Sequence, residues 1–310
     1  MYRHMICNAS ASVLLMAVCA GPACAQADTS DSSSVEQDDK TIIVTGKRTD
    51  AESVRRESGL FTRKVGAVPV AGQIARWNEP VCPKVIGVDA KISGIVIDRI
   101  KSVARQVGAP LPKAVCKPNL VVTFTPDANG LVAAILKRDS RAISATVPGE
   151  AQAIRASSLP VLWWYGSHTE AADGHQITGL QSPALFGNNL PSAGDNQFLN
   201  GYSSSLIDSQ LRVNIASATV LVDVTRAEGR KLDSVAAYVA FVSLARIRFT
   251  ASFSGAPSIL GLFSNGPEAA TDLTDWDTAY LTALYHVPVN RPADIQRSLI
   301  SNEMAKLLTK

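Results

Sequence analysis

"SVAAYVAFVSLA", Ser234 to Ala245, carries no charged residue over about three helical turns. Val235, Val239, Phe241 and Val242 point to several sides, and alanines fill the gaps between them. Such a helix has no face for water and is read as buried on all sides. A buried helix needs layers around it, and the flanking sequence supplies them. Upstream, "QLRVNIASATVLVDV", Gln210 to Val224, alternates at Leu211, Val213 and Ile215. It then becomes continuously apolar, as a strand does on entering the middle of a sheet. Downstream, Thr274 to Asp277, "TDWD", reads as a capping box with Asp in place of Glu, opening a helix. A further helix has Pro292 near its first turn, where proline is tolerated.

The front half has its own pattern. "PVCPKVIGV" reads as a strand. Ile92, Ile95, Val96, Ile100, Val103, Ala104 and Val107 then recur at helical steps, with Asp89 as N-cap and Gly108 as stop. "NLVVTFT", Asn119 to Thr125, is a strand, and "ANGLVAAILKR" a helix. Strand, helix, strand, helix is an α/β or α+β signature. The fold class expected is α+β, with a buried central helix and a helical C-terminal part. Ser140 to Ser209 between the halves reads as irregular.

The 310 residues are 46% apolar and 18% charged, enough apolar material for a sizeable core. The formal net charge of +3 is thinly spread and gives no case for nucleic-acid binding. Residues 1–27 read as a secretory signal. Arg3 and His4 precede the apolar run Ala11 to Gly21, and small-x-small sites end at Ala25 and Ala27. The run is too short for a transmembrane anchor. Cys19 and Cys24 lack a good lipobox. The protein is therefore expected to be exported, periplasmic or associated with the cell envelope. Removing the signal leaves Cys82 and Cys116, and an isolated pair in an oxidising compartment predicts one disulfide. Residues 28–72 are expected to be an acidic, disordered linker followed by an extended lead-in, and residues 73–310 a single globular domain. The lead-in holds the basic pairs Lys47-Arg48, Arg55-Arg56 and Arg63-Lys64.

Two resemblances bear on function. "IIVTGKR", Ile42 to Arg48, resembles the segment found early in many TonB-dependent outer-membrane receptors. A receptor barrel with its plug needs far more chain. The segment either adds as a strand to a partner or starts a strand of this protein's own sheet. The order "VLVDV", buried helix, "PSILGLF", "LTDWDTAYLTALY" resembles the C-terminal part of exported proteobacterial families with a zincin-like, metallopeptidase-type domain. There an L-T-x-x-D-x-x-x-L-x-x-L-Y helix closes the domain. "RWNEPVCPKV" and "PNLVVTF" resemble its front half, so the likeness runs from Gln73 to Leu308. It implies a zincin-like sheet. In active zincins the buried helix carries H-E-x-x-H, two zinc ligands one turn apart with a glutamate that activates water. Here that place reads Tyr238-Val239-Ala240-Phe241-Val242, and no His, Asp, Glu or Cys lies between Asp233 and Arg246. The resemblance therefore implies a degenerate domain without a zinc site.

Other chemistry is sparse. His168 and His175 lack a ligand motif, and His286 suits a helix C-terminus. "GYSSS", Gly201 to Ser205, departs from a nucleophile elbow at Ser205. Asp272, Asp275 and Asp277 suit a helix N-terminus. No catalytic residue, metal site or cofactor is expected. "WWY", Trp163 to Tyr165, should bury at least one ring. An exposed one, with Tyr202, would form a ligand platform built from Trp163, Trp164, Tyr165 and Tyr202. The function expected is non-catalytic, in binding an envelope protein, peptide or sugar, or structural. The alternative is a hydrolase with its site in residues 140–209, using His168 or His175.

Overall fold

A four-stranded mixed sheet carries the fold, as seen in a computed structural model that describes residues 51–67, 73–140, 142–143, 149–171, 208–251, 255–264 and 269–310. The strands are β1 (Pro83–Ile86), β2 (Leu120–Thr125), β3 (Val161–Ala171) and β4 (Leu211–Asp223), in the order β1-β2-β4-β3. β1, β2 and β4 run parallel, and β3 runs antiparallel to β4 at the edge. The helices among the described residues are α1 (Ala51–Val65), α2 (Ala90–Val107), α3 (Ala128–Arg138), α4 (Glu150–Arg155), α5 (Leu232–Leu244), α6 (Asp275–His286) and α7 (Ala293–Leu308). The class is α+β, as expected. No helix among these residues is long and apolar enough to cross a membrane.

Register explains the core. Val85 pairs with Val122, Val122 with Val220, and Val220 with Trp163, so one apolar row crosses the whole sheet on one face. Helix α5 lies against this face, its Tyr238 ring edge-on to Trp163 at 6.0 Å, and also packs on α2. Every residue from Ser234 to Leu244 is buried, which accounts for a helix without a charged face. β3 and β4 run on together past the end of β2 as a two-stranded ribbon. A register shift at Gly166/Ser167 leaves Ala216 of β4 unopposed.

The local stop signals have the expected geometry. Asp89 caps α2 by accepting from Ile92 N at 2.9 Å, and Gly108 ends it in the left-handed region at φ 79°. Thr274 and Asp277 form the capping box of α6. Cys82 and Cys116 are joined, with Cα atoms 6.0 Å apart, tying the start of β1 to the loop before β2. The acidic run from Asp28 to Lys40 and the Ile42–Arg48 segment lie outside the described residues, as do His175 and Tyr202.

Two expectations are corrected. The stretch read as an extended lead-in is helical over Ala51–Val65 and belongs to the core, so the folded unit begins well before Gln73. α1 packs on α7 and buries Val54, Ser58, Phe61, Thr62 and Val65. The Phe61 ring meets Tyr280 at 5.7 Å and Trp276 at 6.0 Å. Gly66 then bridges to Ile247 beyond α5, where a Cβ would stand 2.8 Å from the Tyr280 hydroxyl. The second correction concerns the middle region, which holds helix α4 and the long edge strand β3 in place of irregular chain. Both faces of Val161 to Tyr165 are buried, so the stretch lacks the alternation that marks a half-buried strand.

Candidate functional site

Three places have the geometry to carry function. The first lies between α5 and the edge strand β3, beside the helix on which the resemblance would place metal ligands. Trp163, Tyr238, Phe249 and Phe263 fill it. Trp163 is 4.8 Å from Phe249, and Tyr238 is 5.1 Å from Phe263, ring centre to ring centre. Tyr238 and Val242, one turn apart on α5, are both buried.

Backbone groups close the same place. The last carbonyls of a helix have no partner within it. At the end of α5, Val242 O accepts from the Tyr165 hydroxyl at 2.6 Å, and Ser243 O from Trp77 Nε1 at 2.8 Å. Leu244 O accepts from the Tyr285 hydroxyl at 2.5 Å. The Tyr165 oxygen also accepts from Ile247 N at 3.1 Å, and Ile247 O accepts from Trp163 Nε1 at 3.1 Å. Burial pushes the Tyr165, Tyr238 and Tyr285 phenols up, so all three stay protonated, and Tyr165 and Tyr285 remain donors. Arg246 sits 5.6 Å over the Tyr165 ring and donates to Ser167 Oγ at 3.2 Å. Burial lowers its pKa, against the pull of Glu150.

The expectation of an exposed ring in "WWY" is corrected here. Trp163, Trp164 and Tyr165 are 2%, 8% and 4% exposed. Trp163 and Tyr165 share the face toward α5; Tyr165 bonds to the end of α5, and both bond to Ile247 just beyond it. No ring of the three offers a surface platform.

The second place is a polar cluster at the far end of the β3–β4 ribbon. Glu170 and Arg212 are opposed across the strands, as are His168 and Asn214. The buried Glu170 carboxylate accepts from Arg212 Nε at 2.7 Å and from Asn78 Nδ2 at 3.3 Å. His168 Nε2 stands 3.4 Å from its other oxygen, outside hydrogen-bond geometry. Asn214 Oδ1 accepts from Asn78 N at 3.0 Å. Arg76, beside Asn214, donates to Leu284 O and to Val287 O (the latter at 2.7 Å), so it closes the C-terminus of α6. Burial pulls its pKa down to about 10.

The third place is a cleft of about 670 Å³ where the start of α1 meets the ends of α6 and α7. Its lining includes the apolar Val287, Pro288 and Leu299 and the basic Arg55, His286 and Lys306. Sequence reading missed it because its walls come from opposite ends of the domain.

The aspartates do not converge. Asp272 pairs with Arg99 of α2. Asp277 is buried and accepts from Ser258 Oγ at 2.6 Å, Ile259 N at 2.7 Å and Thr274 N at 3.0 Å. It binds the "PSIL" turn to α6. Gly201 to Ser205 lies outside the described residues. No group of three potential metal ligands occurs among the described residues. Comparison of the chain with protein families, with curated proteins and with solved structures finds no match.

Proposed function

We propose that this is a non-catalytic exported protein whose domain is a degenerate zincin-like unit that binds instead of cleaving. The reading is carried by one observation: the space between α5 and β3 is occupied by interlocking aromatic rings, and the end of α5 is tied by Tyr165, Trp77 and Tyr285. A working metal site needs an open coordination position reached by substrate and water. Rings and their hydrogen bonds take up that volume here. The signal-like residues 1–27 and the disulfide support export to the periplasm or cell envelope, and Ile42–Arg48 is proposed as an extended recognition segment. The test is metal analysis and a peptidase assay on mature protein purified from its native compartment. Absence of stoichiometric zinc and of hydrolysis is the expected result. One zinc per chain, lost in His168→Ala, overturns the proposal.

The His168–Glu170 pair favours a second reading, a hydrolase centred on the β3–β4 ribbon. The buried Glu170 carboxylate stands 3.4 Å from the His168 imidazole without a hydrogen bond, and this reading requires the gap to close on substrate binding so that the carboxylate orients the imidazole as a general base. Hydrolysis abolished by His168→Ala with no metal bound would select it.

A further inference from the structure

The basic pairs Arg55-Arg56 and Arg63-Lys64 are placed together by α1. Val54, Ser58, Phe61, Thr62 and Val65 form its buried face, and all four basic residues are exposed; with Glu52 and Glu57 as the acids of the same helix, its outer side is net positive. The basic residues span about 14 Å of helix at 1.5 Å per residue. Arg55, at one end of this strip, stands in the wall of the α1–α6–α7 cleft. A positive strip leading to a concave site raises the local concentration of anions at its mouth.

The cleft itself has two chemically different parts. Val287, Pro288 and Leu299 contribute apolar lining, and Arg55, His286 and Lys306 contribute basic groups. Among the described lining residues the one acid is Glu303, which pairs with Lys306 at 3.4 Å on the same helix. The C-terminus of α6 would ordinarily repel an anion here, because helix C-termini carry partial negative charge. Arg76 removes much of that repulsion, since its guanidinium takes Leu284 O and Val287 O from behind. The volume of about 670 Å³ falls within the range of small-molecule sites.

We infer that this cleft binds an organic anion with a short apolar tail, the head group held by Arg55 with Lys306 and the tail laid on Val287, Pro288 and Leu299. The inference gives the binding reading above a site and a ligand class. Its test is separate from metal content and peptidase activity, so the two can fail independently. The probes are octanoate, inorganic phosphate and 1-octanol, titrated calorimetrically into the mature protein. Octanoate should bind saturably. Octanol, without a charge, should bind more weakly by about tenfold or more, the weight of one charge-assisted hydrogen bond, and phosphate, without a tail, by about tenfold or more through the lost burial of apolar surface. Arg55→Glu should weaken octanoate by a similar factor. Lys137→Glu, on the exposed side of α3 and away from the cleft, should leave binding unchanged. Both variants alter exposed side chains, and matching melting temperatures establish that they fold. Failure of octanoate to saturate, equal binding of octanol, or binding indifferent to Arg55→Glu would each overturn the inference.

Discussion

Tyr165→Phe removes one oxygen atom and no volume, yet it should be among the most destabilising conservative changes in the chain. The hydroxyl donates to Val242 O at 2.6 Å and accepts from Ile247 N at 3.1 Å. Both backbone groups sit in residues that are fully buried. Phenylalanine would orphan a carbonyl and an amide together. Each unpaired buried group costs about 1–3 kcal/mol, so the variant should lose about 2–6 kcal/mol. In urea, with m of about 2–3 kcal/mol/M for a domain of this size, the midpoint should fall by about 0.7–3 M with m unchanged. A loss below about 0.5 kcal/mol would mean that water reaches these groups. The region between α5 and β3 would then be a wet cleft, and the non-catalytic proposal would lose the observation that carries it.

Three other changes probe the architecture. A chain beginning at Thr41 should melt close to the mature protein, whereas one beginning at Gln73 should fail to fold cooperatively. The shorter chain loses Phe61, whose truncation to alanine alone should cost about 3–5 kcal/mol by urea titration. Mass spectrometry of unreduced peptides should find Cys82 linked to Cys116. Reduction should cost about 4 kcal/mol on the loop-entropy estimate for a separation of 34 residues. Asp277 supplies a pH test. Burial raises its carboxyl pKa above the ordinary value, outweighing donors from Ser258, Thr274 and Ile259. The native state therefore binds the proton more tightly than the unfolded chain, and stability falls as pH rises from 3.8 through the raised native value. The advantage of wild type over Asp277→Asn should accordingly be larger at about pH 5 than at about pH 8 in denaturant titrations, and a smaller gap on acidification would contradict it.

What sequence reading reached, and what it missed, follows the range of the interactions. Asp89, Gly108 and the Thr274–Asp277 box act within one turn of their own helix, so residue type at fixed spacing was enough to place them. α1 was missed because two of its five buried positions are Ser58 and Thr62, which breaks the apolar period. The Thr62 hydroxyl is satisfied inside the helix, by Ser58 O at 2.8 Å, a pairing that hydropathy does not register. β3 was missed for the opposite reason: burial on both faces removes the alternation that marks a strand. Its pairing with β4 spans the whole middle of the chain, and nothing local encodes that.

The candidate site was legible only as a lack of ligands in α5. What takes their place is distributed, and its members are the very residues that carried the resemblance. In "RWNEP", Arg76 closes α6, Trp77 closes α5, and Asn78 joins the Glu170 and Asn214 cluster. In "LTDWDTAYLTALY", Thr274 and Asp277 cap α6 and anchor the "PSIL" turn, while Tyr285 reaches back to Leu244 O. Apart from Asn78, which joins the strand cluster, these side chains satisfy backbone groups at helix ends and in the adjoining turn that the helices cannot satisfy for themselves. The need is the same whether α5 presents metal ligands or only apolar side chains. Such motifs therefore speak for the frame around α5, and the residues on α5 speak for the chemistry. Here Val242 O, Ser243 O and Leu244 O at the end of α5 are taken by frame side chains and the helix itself is packed on all sides, so the proposed binding function is sought on surfaces such as the outer side of α1 and the cleft beside it.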